Sequence, residues 1–190
     1  MMALTGPPVR YEWNDGELIK FTYMNRKLLS LISRLYQVFY QTEHFRKGGL
    51  FLAEQDVQLS GIQLRRPNLA FFNAEQIQES QGDEEQIPEF AIEVTSTNDQ
   101  IIKVRQKLSE YFKTGVKVVW LIYPEEKEVE VFTSYKQVKI CTGTDICSAS
   151  PVLPDFEISV EELFGVWDFL IQSTSSKSSL SFKVERSDLS

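Results

Sequence analysis

The sequence predicts an α/β (α+β) fold, a central mixed β-sheet flanked by helices. Segments rich in β-branched and aromatic residues, bounded by turn residues, recur at Leu50 to Leu59, Leu69 to Phe72, Phe90 to Thr95, Val116 to Tyr123 and Val129 to Thr133. Two segments with apolar residues at helical spacing lie among them, without the regular alternation of a βαβ repeat. With 190 residues, 42% of them hydrophobic, the chain is long enough for one well-buried core. Residues 1–172 are therefore expected to form a single domain. From Ser173 to Ser190 the chain is serine-rich and poor in aromatics, which predicts a mobile tail.

Taken in order, Arg10 to Phe21 carries the turn signal Asn14-Asp15-Gly16 between two β-prone pieces and predicts a hairpin. Leu28, Leu29, Ile32, Leu35, Tyr36 and Phe39 predict an amphipathic helix from Asn25, its candidate cap, to Tyr40. Gly48-Gly49 breaks the chain. Strands are expected at Leu50 to Leu59 and Leu69 to Phe72, separated by Ser60-Gly61 and the basic pair Arg65-Arg66. Residues 73–87 are polar and acidic, an exposed loop or short helix. After the strand Phe90 to Thr95, Thr97 or Asn98 is placed to cap a helix over Asp99 to Thr114, which Gly115 stops. Val116 to Tyr123 and Val129 to Thr133 form a hairpin around Pro124 to Lys127, with Tyr135 to Ile140 as a further strand. Ser159 and Glu162 have capping-box spacing and start a short helix through Phe164.

Composition narrows the function. A formal charge of -7 means that any grip on nucleic acid must come from a local patch. Cys141 and Cys147 lie together without nearby histidine, so neither a zinc site nor a disulfide framework is expected; His44 is the one histidine, which excludes mechanisms built on several. There is no apolar run of the ~20 residues that span a bilayer. The N-terminus lacks the layout of a secretory signal. A cytoplasmic protein without membrane contact is expected. No Gly-rich phosphate loop, nucleotide fingerprint or nucleophile elbow is present.

The chemically odd position is Glu93, inside the apolar strand of PEFAIEVTSTND (residues 88–99). Alternation turns Phe90, Ile92 and Val94 one way and Ala91, Glu93 and Thr95 the other. Two readings stand. Glu93 is either the acid of a cleft or half of a structural salt bridge, because an unpaired ionised carboxylate is costly in an apolar interior. The next helix offers a partner. Ile101, Val104, Leu108, Tyr111 and Phe112 define its buried stripe, and Lys107 lies about 90° from the middle of that stripe. A lysine there can lay its stem on apolar surface and carry its ammonium to a cleft, although boundary lysines are also common without any such role. Lys103, Arg105 and Lys113 point further out. A metal-dependent phosphodiesterase would need a further hard oxygen ligand, and the preceding strand offers Asn68.

The ordered set Tyr11 to Glu17 (YEWNDGE), Arg66 to Phe71 (RPNLAF), Pro88 to Ser96 (PEFAIEVTS), Lys107 to Gly115 (KLSEYFKTG), Val119 to Pro124 (VWLIYP) and Leu153 to Phe156 (LPDF) resembles the Uma-two family of restriction endonuclease-like proteins, within the PD-(D/E)XK nuclease superfamily. The match runs from about residue 10 to 164 and rests on the ordered set rather than on one motif. The resemblance implies a restriction endonuclease-like fold and a Mg²⁺-dependent DNA endonuclease. Glu93 and Lys107 match the second acid and the lysine of that pattern. Asn68 stands where the pattern has an aspartate after proline. Glu12 and Glu17 match acids of the N-terminal hairpin, with Glu12 in reach of the cleft as a metal ligand beside Glu93 and Asn68. Where the family often has a histidine at the start of the first long helix, this chain has Asn25. DNA is the implied partner, and a homodimer follows by analogy, since two sites cut two strands. The alternative is a catalytically inactive member, a nucleic-acid- or protein-binding module, since an amide ligand keeps an oxygen but loses a charge.

Overall fold

The computed structural model describes residues 10–14, 17–21, 26–60, 63–79, 86–95 and 100–165, with residues 10–27 described by backbone alone. The expected turn at residues 15–16, the candidate caps Asn25, Thr97 and Asn98, and the C-terminal segment 173–190 lie outside these residues.

Six strands make the central sheet. β3 (Leu50–Ala53), β6 (Leu69–Phe72), β7 (Phe90–Val94), β8 (Val118–Tyr123), β9 (Glu128–Ser134) and β10 (Gln137–Thr142) lie in the order β10-β9-β8-β7-β6-β3. Only the β7–β8 pair is parallel; every other pair is antiparallel, so the sheet is mixed as expected. The parallel step requires a crossover, supplied by α4 (Ile101–Thr114). Gly115 ends that helix at φ 109, a left-handed conformation that glycine adopts without a Cβ clash.

A second sheet, in the order β2-β1-β5-β4, joins the expected hairpin β1 (Arg10–Asn14) and β2 (Glu17–Phe21) to β5 (Gln63–Arg65) and β4 (Val57–Ser60). The single strand expected over Leu50 to Leu59 is therefore two strands in different sheets. The break falls at Glu54, whose φ of 55 turns the chain out of β3.

Each face of the central sheet has its own core. On one face α1 (Arg26–Phe39) brings Leu31, Ile32, Leu35 and Phe39 against Phe71, Phe90, Ile92 and Trp120. The pair β11 (Ile146–Ala149) and β12 (Leu153–Ser159), not expected from sequence, adds Phe156 and Ile158 to this core. On the other face α4 brings Leu108 and Tyr111 against Ala70, Ala91, Val119 and Leu121, with Val57 and Leu59 from the second sheet. Ile101, expected in the α4 stripe, is 75% exposed. It belongs to the first helical turn, ahead of the part that packs, and the N-cap residue Gln100 makes no side-chain capping bond.

The short helix α2 (Glu43–Arg46) joins α1 to β3, and α3 (Ala74–Glu79) lies between β6 and β7. Thr42 caps α2, and Gly49 follows where an added Cβ would meet the His44 carbonyl oxygen at 2.9 Å. The Ser159–Glu162 capping box forms as expected and starts a helical segment described to residue 165. No helix among the described residues is long and apolar enough to cross a membrane.

Candidate active site

β7 has a paired neighbour on each side, and its register fixes what faces what. Leu69 opposes Ile92 and Ala70 opposes Ala91 on the β6 side, while Glu93 lies level with Leu121 of β8. Side chains alternate across the sheet, so Ala91 and Glu93 turn toward α4 while Phe90 and Ile92 turn toward α1. Alanines at 70 and 91 keep that face low and let the helix approach.

Glu93 is 9% exposed, and α4 satisfies it. Its Oε1 accepts a hydrogen bond from the Tyr111 hydroxyl at 2.6 Å and one from the Lys107 ammonium at 3.4 Å. Lys107 and Tyr111 are four residues apart, one turn along the same side of the helix, so a single helix position sets both contacts. Both donors use the same oxygen. Neither of these two bonds uses Oε2.

Asn68 immediately precedes β6, and one further step of the antiparallel register places it opposite Glu93. Its Oδ1 accepts the Val94 backbone N–H at 2.7 Å, so the amide pins the end of β7. An aspartate could make the same bond and keep a second oxygen for a cation. In asparagine that second atom is Nδ2, a donor. Glu12 lies on β1, and its side chain, like those of Glu17 and Asn25, is outside the described residues.

A neighbouring ion pair fixes the helix to the second sheet. Arg65, 1% exposed, donates through Nε and Nη2 to Glu110 Oε2, both at 2.7 Å. Sequence reading placed Arg65 in a basic turn and Tyr111 in an apolar stripe; neither was recognised as polar support of the site. The available signal was their spacing: Glu110 and Tyr111 are consecutive on α4 and so present polar atoms to two different neighbours. Arg66, adjacent to Arg65, makes a two-pronged pair with Asp56 at 2.7 and 2.9 Å.

Among the described residues no group of three or more His, Cys, Asp or Glu is arranged to hold a metal ion. The donors present nevertheless fit a hard cation at the minimum level. Mg²⁺ asks for one or two carboxylates with water filling the rest of its shell, and Glu93 Oε2 with the remaining lone pair of Asn68 Oδ1 meets that chemistry.

The same fold occurs in a crystal structure from Anabaena variabilis titled a "putative nuclease belonging to DUF820", with a TM-score of 0.71, 19% identity, and coverage of 82% of this chain and 89% of that one. Among curated proteins, none matches this sequence significantly. The strand carrying Glu93, the helix carrying Lys107 and the Asn68 position all fall within residues 1–161, which match the model of the family described as "Uma2: Putative restriction endonuclease", and the chain belongs to that family.

Proposed function

We propose that this protein is a Mg²⁺-dependent endonuclease that hydrolyses phosphodiester bonds in DNA, with Glu93, Lys107 and Asn68 as its site. The observation that carries the reading is the meeting of Glu93 and Lys107 at 3.4 Å between a central strand and the crossover helix, in a chain of the Uma2 family. When bound, Mg²⁺ supplies Lewis acidity toward a phosphoryl oxygen and lowers the pKa of a coordinated water. Glu93 would hold the cation through Oε2, with Asn68 Oδ1 as a weaker ligand and Glu12 as a further one. Lys107 would place its charge where negative charge develops on the phosphate. Tyr111 would keep Glu93 from rotating.

Two copies acting together would reach both strands of a duplex, and a single domain over residues 1–172 in the cytoplasm completes the reading. The test is nicking of supercoiled plasmid with Mg²⁺ or Mn²⁺. The expected result is metal-dependent cleavage that Glu93→Ala abolishes; no cleavage with either metal overturns it.

Two observations favour a second reading, a non-catalytic family member acting as a nucleic-acid- or protein-binding module. Asn68 engages its oxygen with Val94, and Glu93 and Lys107 already neutralise each other. On this reading Asn68→Asp binds Mn²⁺ in calorimetric titration while the wild type does not. Tight binding by the wild type refutes it.

A further inference from the structure

The edge of a sheet presents unpaired backbone N–H and C=O groups, and folded proteins blunt it with charge, proline or cover. The central sheet, as described, ends at β3 and β10. Among the described residues β10 carries none of these protections. It contains no proline, and its one charged side chain, Lys139, is turned aside: Nζ donates to the Ile146 carbonyl of β11 at 2.8 Å. Opposite β9, Lys139 and Cys141 share the face of Val131 and Val129, toward α1, while Val138 stands beside Phe132 on the α4 face. Ile140 follows Val138 on that face by alternation. α4 does not reach this far: Val138 is 48% exposed and Ile140 55%. Tyr135 and Ile146, next to them, are exposed as well, so the patch is contiguous with the open edge.

The strand is complementary to itself. The β9–β10 ladder shifts register between Gln137 and Val138, so the regular run is Val138 to Thr142, with Ile140 as its middle residue. A second β10, antiparallel and related by a two-fold axis at Ile140, sets Ile140 against Ile140, Val138 against Thr142 and Lys139 against Cys141. No like charges meet, whereas an axis at Lys139 would oppose two ammonium groups. Past the ends of the run, Lys136 of one copy comes to the turn that carries Asp145 of the other. Both are exposed and opposite in sign, so charge favours the same pairing at each end.

We propose that β10 pairs edge to edge with β10 of a second copy, giving an isologous homodimer with one continuous central sheet. This places the contact between the two copies of the proposed function, and it rests on that reading only for what the pairing achieves. Self-association and metal-dependent nicking are separate readouts, so either can fail without the other.

Sedimentation of the full chain over a concentration series up to about 100 μM tests the inference. The wild type is expected to dimerise, and Ile140→Lys to weaken dimerisation at least ~10-fold by putting two ammonium groups on the axis. Ile140→Cys is expected to link two copies when oxidised glutathione is added, seen as a dimer on a non-reducing gel, because directly opposite residues bring their β-carbons close. Ile102→Cys, exposed on α4, and the wild type, whose own cysteines are buried, should stay unlinked. If Ile140→Lys does not fold, the cross-link decides alone. A wild type that is monomeric throughout the series overturns the inference. So does a dimer in which Ile140→Cys links no better than Ile102→Cys, or one that a folded Ile140→Lys leaves intact.

Discussion

The two faces of the central sheet come from alternate residues of the same strands, yet they are different materials. Toward α1 the strands present Phe71, Phe90, Ile92 and Trp120, and the two buried charged residues among those described, Arg65 and Glu93, lie on the other side. Toward α4 they present Ala70, Ala91, Val119 and Glu93, with Arg65, Glu110 and Lys107 placed around them. The aromatic face is held by packing area. The alanine face gives up area to bring a helix close enough for directed hydrogen bonds. Its buried charges are tolerable because each meets a partner. Even the first face has a blemish: Trp120 Nε1 is buried without a hydrogen-bond partner among the described residues.

The comparison can be broken most easily at its aromatic side. Trp120→Ala should cost about 3–5 kcal/mol in urea unfolding, by lost burial and the cavity left behind. Trp120→Phe should cost far less, since the indole N–H makes no bond to lose. A cost for Trp120→Ala below that of any charge variant would mean the aromatic face is loosely packed.

On the other face, Arg65→Ala should cost about 3 kcal/mol, because it leaves Glu110 charged and poorly solvated. Replacing both, as Arg65→Met with Glu110→Leu, should recover most of that loss. Failure to recover would show that the pair contributes more than mutual neutralisation.

Tyr111→Phe sharpens the contrast within one helix, since it removes a hydroxyl and keeps the ring. It should cost about 1.5 kcal/mol, the scale of a hydrogen bond to a charged group. On the proposed reading it should also weaken Mn²⁺ binding, because Glu93 would be held by Lys107 alone. Unchanged stability would mean that the bond between Tyr111 and Glu93 does not form in solution.

The smallest effect belongs to the capping box at the end of β12. The Ser159 hydroxyl, then the Ser159 backbone N–H, hold the Glu162 carboxyl below its ordinary range. A pKa depressed in the folded state contributes stability above the unfolded value and loses it as pH falls through the folded one. Ser159→Ala should therefore cost about 1 kcal/mol at neutral pH. That difference should shrink in acid, where both proteins have protonated Glu162. An equal difference at all pH values would assign the loss to the backbone cap alone.

Legibility from sequence followed the range of each interaction. The β1–β2 hairpin, α1, α4, its stop at Gly115 and the capping box were all readable, because their causes are periodicity, turn residues and caps within a few positions. The split of Leu50 to Leu59 was not, since the chain changes sheets at a glutamate in a conformation usually given to glycine or asparagine. β11 and β12 were missed because the stretch has few β-branched residues; their pairing and their burial over the core make them strands.

For the candidate site, the sequence by itself put Glu93 on the less apolar side of β7 and Lys107 at the edge of the α4 stripe. Both follow from fixed local periods, 2 in a strand and 3.6 in a helix. Only the tertiary structure decided that these two edges meet, that Tyr111 donates to Glu93 and that Arg65 braces Glu110. It alone aligned Ala53 with Leu69 and Leu69 with Ile92. Register between strands distant in the chain depends on how both faces pack at once, and no local pattern encodes it.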